Sequence, residues 1–150
     1  MSTNKVSLFI FLLLFLFQRP LHAEDHGHNM SSVDCNFDKG VCSKTLKSAG
    51  LRVILDINPK PVASMSELQF SVMIYKDTTA VTNAEVVVDL SMPGMYMGKN
   101  QIFLKSAEDN KYEGTGVIPV CASGSKTWMA EVKVIMDNVI YSAAYTFAVR

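Results

Sequence analysis

From Gly50 to the C-terminus, apolar residues recur at every second position, first over residues 51–57. This period of two is typical of strands with one buried and one solvated face. Six further runs follow, separated by turn formers such as Pro93-Gly94. Seven short strands and no long helix predict an all-β domain, an immunoglobulin-like β-sandwich over residues 50–150. A closed barrel is the alternative, because the sequence does not determine which strands pair.

The N-terminus carries a different pattern. Residues 6–17 (VSLFIFLLLFLF) are apolar but for one serine, and the run is shorter than the ~20 residues of a membrane-spanning helix. Lys5 precedes this run and Leu21-His22-Ala23 follows it. This order is typical of a secretory signal peptide. We predict a signal peptide over residues 1–23 and a periplasmic or secreted location. An uncleaved N-terminal anchor is the alternative.

The composition excludes several classes of protein. The 14 Lys and Arg balance the 14 Asp and Glu, whereas a nucleic-acid-binding protein needs a basic excess. With 49% hydrophobic and 19% charged residues, the chain is not disordered. Beyond residue 23 the histidines are His26 and His28, and no catalytic triad, phosphate loop or zinc-protease motif is found. We predict a monomeric binding protein that is not an enzyme and has no nucleic-acid partner.

Residues 24–49 form a polar segment without periodicity, which we interpret as an exposed, flexible arm. It holds Cys35 and Cys42, while Cys121 belongs to the domain. Three cysteines outside the cytoplasm indicate a disulfide with a spare thiol, a metal site or a bond to a partner. Closing the Cys42–Cys121 loop would remove on the order of 4.5 kcal/mol of chain entropy, against 2.5 for Cys35–Cys42. We hypothesise that Cys121 pairs with an arm cysteine, preferably Cys42; the local pair is the alternative.

Methionine is the most informative residue type. Met92, Met95 and Met97 lie within six positions, around a Pro-Gly pair. Thioethers are soft donors that suit Cu(I) and are poor ligands for Mg, Ca or Mn. In an extended segment Met95 and Met97 would share a face, and the Pro-Gly turn would fold Met92 back towards them. The spacing predicts a copper site on this loop. The alternative is that these methionines fill irregular gaps in the packing.

Cleavage after Ala23 would create a second candidate site. The mature chain would begin Glu24-Asp25-His26. A free α-amine, two backbone amides and a third-position imidazole suit square-planar Cu(II) or Ni(II). His28 lies just behind this group. The alternative is a polar tail that happens to contain histidines.

Five short segments in the second half of the chain stand out together. They are residues 92–100 (MPGMYMGKN), 112–114 (YEG), 118–120 (IPV), 121–124 (CASG) and Trp128. With them, the chain resembles the YtkA-like/FixH-like family of small exported β-sandwich domains over residues 50–150. The resemblance implies an exported or membrane-anchored domain associated with copper handling or cytochrome oxidase assembly. The metal ligands that it implies are Met92, Met95, Met97 and Cys121.

Taken together, these features predict an exported copper-binding or copper-carrying protein that uses a Met-rich loop. Its expected partner is a membrane-bound copper-handling or oxidase-assembly protein. The alternative is a non-metal interaction or assembly domain that docks a membrane protein partner through the same apolar loop.

Overall fold

The computed structural model describes residues 32–150. The predicted signal peptide over residues 1–23 and the histidines of the N-terminal copper site, His26 and His28, lie outside the described residues. Between residues 32 and 150 the chain is all-β, with nine strands and two short 3-10 helices. No helix in this range is long and apolar enough to cross a membrane. The predicted fold class is confirmed.

The strands run antiparallel to their neighbours and lie in two sheets. In chain order they are β1 (Cys42–Leu46), β2 (Leu51–Asn58), β3 (Glu67–Lys76), β4 (Thr79–Ala80), β5 (Glu85–Ser91), β6 (Gln101–Ser106), β7 (Lys111–Val117), β8 (Thr127–Met136) and β9 (Val139–Ala148). The 3-10 helices are Phe37–Lys39 and Lys47–Ala49. The seven predicted strands correspond to β2, β3 and β5 to β9. The sequence pattern did not predict β1 or the two-residue β4.

The strand order is β1-β2-β3-β7-β6-β5-β8-β9, with β4 added beside β3. Strand β6 belongs to both sheets, because it pairs with β5 over most of its length and with β7 at Lys105 and Ser106. At the opposite seam β1 lies beside β9, where the ammonium of Lys44 sits 5.3 Å from the ring centroid of Tyr145. The result is a sandwich that is nearly closed.

Period-two burial builds the core between the two sheets. In β2 every odd-numbered residue from Leu51 to Ile57 is buried, as the alternation predicts. The opposite sheet contributes Trp128, Tyr145 and Phe147, which are among the largest fully buried side chains. At about 25 cal/mol per Å² of buried apolar surface, these aromatic residues contribute much of the stabilisation.

Two glycines of β7 allow β6 to cross between the sheets. A Cβ atom at Gly116 would lie 2.8 Å from Cγ1 of Ile102, and one at Gly114 would lie 3.0 Å from the carbonyl oxygen of Phe103. Cβ atoms do not approach other heavy atoms this closely without displacing them. The close approach of β6 to β7 therefore depends on the absence of side chains at these two positions.

The described part of the predicted arm, residues 32–49, is packed against the sandwich. Phe37 is buried and contacts Phe147 edge to face, with ring centroids 5.1 Å apart. The backbone N–H groups of Asp34 and Cys35 donate to the carbonyl oxygen of Thr146 at 2.9 and 3.0 Å. The sequence did not predict this packing. Residues 32–49 are mostly polar, and only one face of β1 is partly covered, so no alternation of apolar residues marks the strand.

The disulfide joins Cys35 to Cys42, whose Cα atoms are 5.9 Å apart, and Cys121 is a free, buried thiol. The hypothesis that Cys121 pairs with an arm cysteine is therefore wrong. Loop-closure entropy favours long loops only among cysteines that geometry can bring together. Here the 3-10 helix Phe37–Lys39 turns the chain back, so that Cys35 meets Cys42 at the start of β1.

Candidate metal centre

Three loops meet at one end of the sandwich, which we call the methionine end. They are the β2–β3 loop (59–66), the β5–β6 loop (92–100) and the β7–β8 loop (118–126). The N–H of Met65 donates to the carbonyl oxygen of Ile118 at 2.8 Å, which ties the first loop to the third. The N–H of Leu90 donates to the carbonyl oxygen of Asn100 at 2.8 Å and closes the base of the second loop.

The Pro-Gly turn folds the methionine run back on itself. The N–H of Met95 donates to the carbonyl oxygen of Met92 at 3.1 Å, and Gly94 has φ 75°. A positive φ at the third position, after proline at the second, is typical of a type II turn and favours glycine. Met92 and Met95 form an isolated antiparallel bridge, which places their side chains on the same side of the turn. The predicted folding back of Met92 is thus observed.

A second turn positions the free cysteine, Cys121, next to Met95. The N–H of Gly124 donates to the carbonyl oxygen of Cys121 at 3.0 Å and closes residues 121–124. The Sγ atom of Cys121 lies 3.8 Å from Sδ of Met95 and 3.0 Å from the hydroxyl oxygen of Ser123. Two sulfur atoms from different loops therefore adjoin each other.

Burial differs among the sulfur-bearing residues. Met92 is 4% exposed and Cys121 6% exposed, and both belong to the core, whereas Met95 is 43% exposed. Met97 is partly buried and packs against the core two residues beyond Met95. A ligand would reach the buried thiol past the exposed thioether of Met95.

Ser123 changes the acidity of the thiol. Its hydroxyl and its backbone lower the pKa of Cys121 through hydrogen bonds, against the opposing effect of burial. Since a thiolate and not a thiol ligates metal ions, the lowered pKa favours the ligating form.

The structure brings Cys121 against Met95 and opposes Met92 to Met95 across the turn, while Met97 packs against the core. Ser123 was missed as a functional residue, although its position two residues after Cys121 was visible in the sequence. Over residues 32–150, no group of three or more His, Cys, Asp or Glu side chains lies close enough to hold a metal ion. The candidate centre is built from sulfur, mostly thioether.

Comparisons of the chain with models of protein families, with curated proteins and with solved structures found no match. The resemblance to the YtkA-like/FixH-like family therefore rests on the sequence motifs alone and stays a prediction.

Proposed function

We propose that this domain is exported and binds or carries Cu(I) at the methionine end, with Cys121, Met95 and Met92 as ligands. The observation that carries the proposal is the 3.8 Å separation of the Cys121 and Met95 sulfur atoms. Metal–thiolate bonds in proteins measure about 2.3 Å, so two sulfurs that share one ion at tetrahedral to trigonal angles lie about 4 Å apart. The donor pair is already spaced for a shared ion.

The chemistry of the donors supports Cu(I) over other ions. One thiolate and two thioethers form a soft set with a single negative charge, which suits Cu(I), while hard ions need oxygen ligands. Binding would release the proton of Cys121, and the hydrogen bonds from Ser123 would stabilise the resulting thiolate. The half-exposed Met95 would contact an arriving ion first, and the buried thiol would then retain it.

Two further features support export. The Cys35–Cys42 disulfide is of a kind that persists outside the cytoplasm. The apolar run over residues 6–17 has the length of the apolar central region of a signal peptide. As partner for the carried ion we retain a membrane-bound copper-handling or oxidase-assembly protein, as the family resemblance implies.

The test is a competition titration of Cu(I) against a chelator. We expect at least tenfold weaker binding for Cys121→Ser and for the triple variant M92L/M95L/M97L, because each removes sulfur atoms that are proposed to bind the ion directly. Methionine and leucine are nearly equal in volume, so each Leu substitution should cost less than about 1.5 kcal/mol of folding stability. Met136→Leu, at the opposite end of the sandwich, is the matched control and should bind as the wild type does.

Equal affinities for the wild type and both site variants, with all proteins folded, would contradict the proposal. The methionine loop would then be a packing feature, and the non-metal interaction domain would be the better description. X-ray absorption at the copper edge gives an independent readout, since only the proposed site predicts Cu–S bonds.

A further inference from the structure

The loops at the two ends of the sandwich differ in charge. The methionine-end loops (59–66, 92–100 and 118–126) contain three lysines and no Asp or Glu. These lysines are Lys60, Lys99 and Lys126. The loops at the other end (47–50, 77–78, 81–84, 107–110 and 137–138) contain four carboxylates and one lysine. They are Asp77, Glu108, Asp109 and Asp137, and Lys47. The N-terminal segment 32–41 also lies at the methionine end and adds Asp34 and Asp38, which pair with Lys44 and Arg150. The unpaired charge of the loops therefore still differs between the two ends, although the chain as a whole has no net charge.

The lysines of the methionine end differ in their partners. Lys60 pairs with Asp56 at 2.8 Å, whereas Lys99 and Lys126 make no ion pair within residues 32–150. Of the carboxylates beside these loops, Asp56 pairs with Lys60, Asp38 with Arg150 and Asp89 with Lys133. Asp89 also attracts Lys99 electrostatically, and Glu67 starts β3 directly after the first loop. Lys99 and Lys126 remain available to an external anion.

Apolar side chains protrude from the same three loops. Met65 is 69% exposed, Tyr96 89% and Val120 66%, and Met95 beside Tyr96 is 43% exposed. We call these four residues the loop tips. Side chains this exposed do not line a groove, because little protein surrounds them. Met65 is held outward in the left-handed conformation, φ 59°, which methionine seldom adopts.

We propose that the methionine end docks on an anionic lipid bilayer, with the loop tips entering the headgroup–acyl boundary and Lys99 and Lys126 facing the phosphates. A fluid bilayer accepts separate protruding side chains without a complementary surface, which a protein partner would have to supply. Tyr96 is of the type enriched at the membrane interface, where one end of the ring is apolar and the hydroxyl is wet. The difference in loop charge orients the domain with this end towards a negative surface.

This docking shares Met95 with the metal proposal. It rests mainly on Met65, Tyr96, Val120, Lys99 and Lys126, which are not proposed ligands, and it can hold whether or not copper binds. If both proposals hold, the candidate centre would face the bilayer. A membrane-bound partner could then meet it at the membrane surface.

The test is co-sedimentation of residues 24–150, the chain that the proposed export would leave after cleavage, with two kinds of vesicle. One contains phosphatidylcholine alone and the other phosphatidylcholine with phosphatidylglycerol. We expect binding to the phosphatidylglycerol vesicles that weakens with salt. The variant M65S/Y96S/V120S, which keeps Met95 and the candidate centre, should bind at least tenfold more weakly. The variant K99Q/K126Q should lose about tenfold or more.

Matched controls come from the opposite end of the molecule. The variant V139S/I140S removes two exposed apolar residues of the β8–β9 hairpin, and K47Q/K76Q removes two lysines. Both should sediment as the wild type does. Failure of the wild type to bind anionic vesicles, or equal binding by the loop-tip variant, overturns the proposal. In that case the methionine end would be better explained as a docking site for a protein with an acidic surface.

Discussion

The sulfur atoms of Cys121 and Met95 lie 3.8 Å apart although the residues are separated by 26 positions in the chain. Each sits in a four-residue turn closed by a backbone hydrogen bond, from Met95 to Met92 in one loop and from Gly124 to Cys121 in the other. Closed turns restrict backbone motion, so the sulfur pair is positioned before any ligand arrives. Such preorganisation reduces the ordering cost of binding.

Ser123→Ala should raise the pKa of the Cys121 thiol. The serine hydroxyl lies 3.0 Å from Sγ and stabilises the thiolate, so its removal withdraws the main influence that lowers the pKa. The measurement is the pH profile of alkylation by a small reagent, whose midpoint should move to higher pH. Ser125→Ala, in the same loop, is the control and should leave the midpoint in place. Identical profiles for S123A and the wild type would refute the role assigned to Ser123.

Cu(I) affinity should fall with pH in the wild type and not in Cys121→Ser. A protonated thiol must lose its proton to bind, so below the pKa of Cys121 the apparent affinity should drop by about tenfold per pH unit. Thioethers carry no proton, and the residual affinity of the variant should be flat over the same range. The measurement is the chelator competition repeated across acidic pH. A flat wild-type profile would show that the methionines bind without the thiolate.

Gly116→Ala should destabilise the fold by about 1–3 kcal/mol, since the added methyl group would overlap Ile102 where β6 crosses β7. Equilibrium urea unfolding measures the loss. Thr115→Ser, at the exposed neighbouring position of β7, is the control and should change stability by less than about 0.5 kcal/mol. If G116A unfolds at the same urea concentration as the wild type, the Ile102 side chain accommodates the added methyl group without cost and the prediction is wrong.

Tyr145→Phe should cost about 1–2 kcal/mol, because the buried phenol of β9 donates to the carbonyl oxygen of Val53 in β2 at 2.7 Å and links the two sheets. The same variant should alter alkaline unfolding. Burial raises the pKa of Tyr145 above that of an unfolded tyrosine, about 10. Its stabilising effect is therefore fully present below pH ~10 and is lost as the pH rises towards the folded-state pKa.

Y145F should accordingly show a shallower loss of stability above pH ~10 than the wild type. Unfolding curves at several alkaline pH values give the comparison. Tyr96→Phe removes an exposed hydroxyl and serves as the control, with the slope of the wild type. Parallel slopes for Y145F and the wild type would mean that Tyr145 ionises as easily in the fold as in the unfolded chain.

Much of the sandwich could be predicted from sequence, because a strand with one buried face shows apolar residues at every second position. The alternation over residues 51–57 identified β2 and its buried face, and Pro93-Gly94 identified the turn that opposes Met92 to Met95. Both inferences depend on residues within a few positions of each other. Strand β1 was not predicted because its covered face is only partly buried and places Lys44 between Cys42 and Leu46, so it lacks a run of alternating apolar residues.

By itself, then, the sequence determined the strand periodicity, the all-β class and the thioether-rich turn, all of which arise from local stereochemistry and solvation. The tertiary structure decided which cysteines pair, and it brought the Cys121 thiol against Met95 and the hydroxyl of Ser123. It also placed three loops at one end with their lysines and exposed apolar tips together. These relations depend on strand order and on distances between remote segments. Period-two patterning constrains neither, because it specifies which face of a strand is buried and not which strand lies beside it.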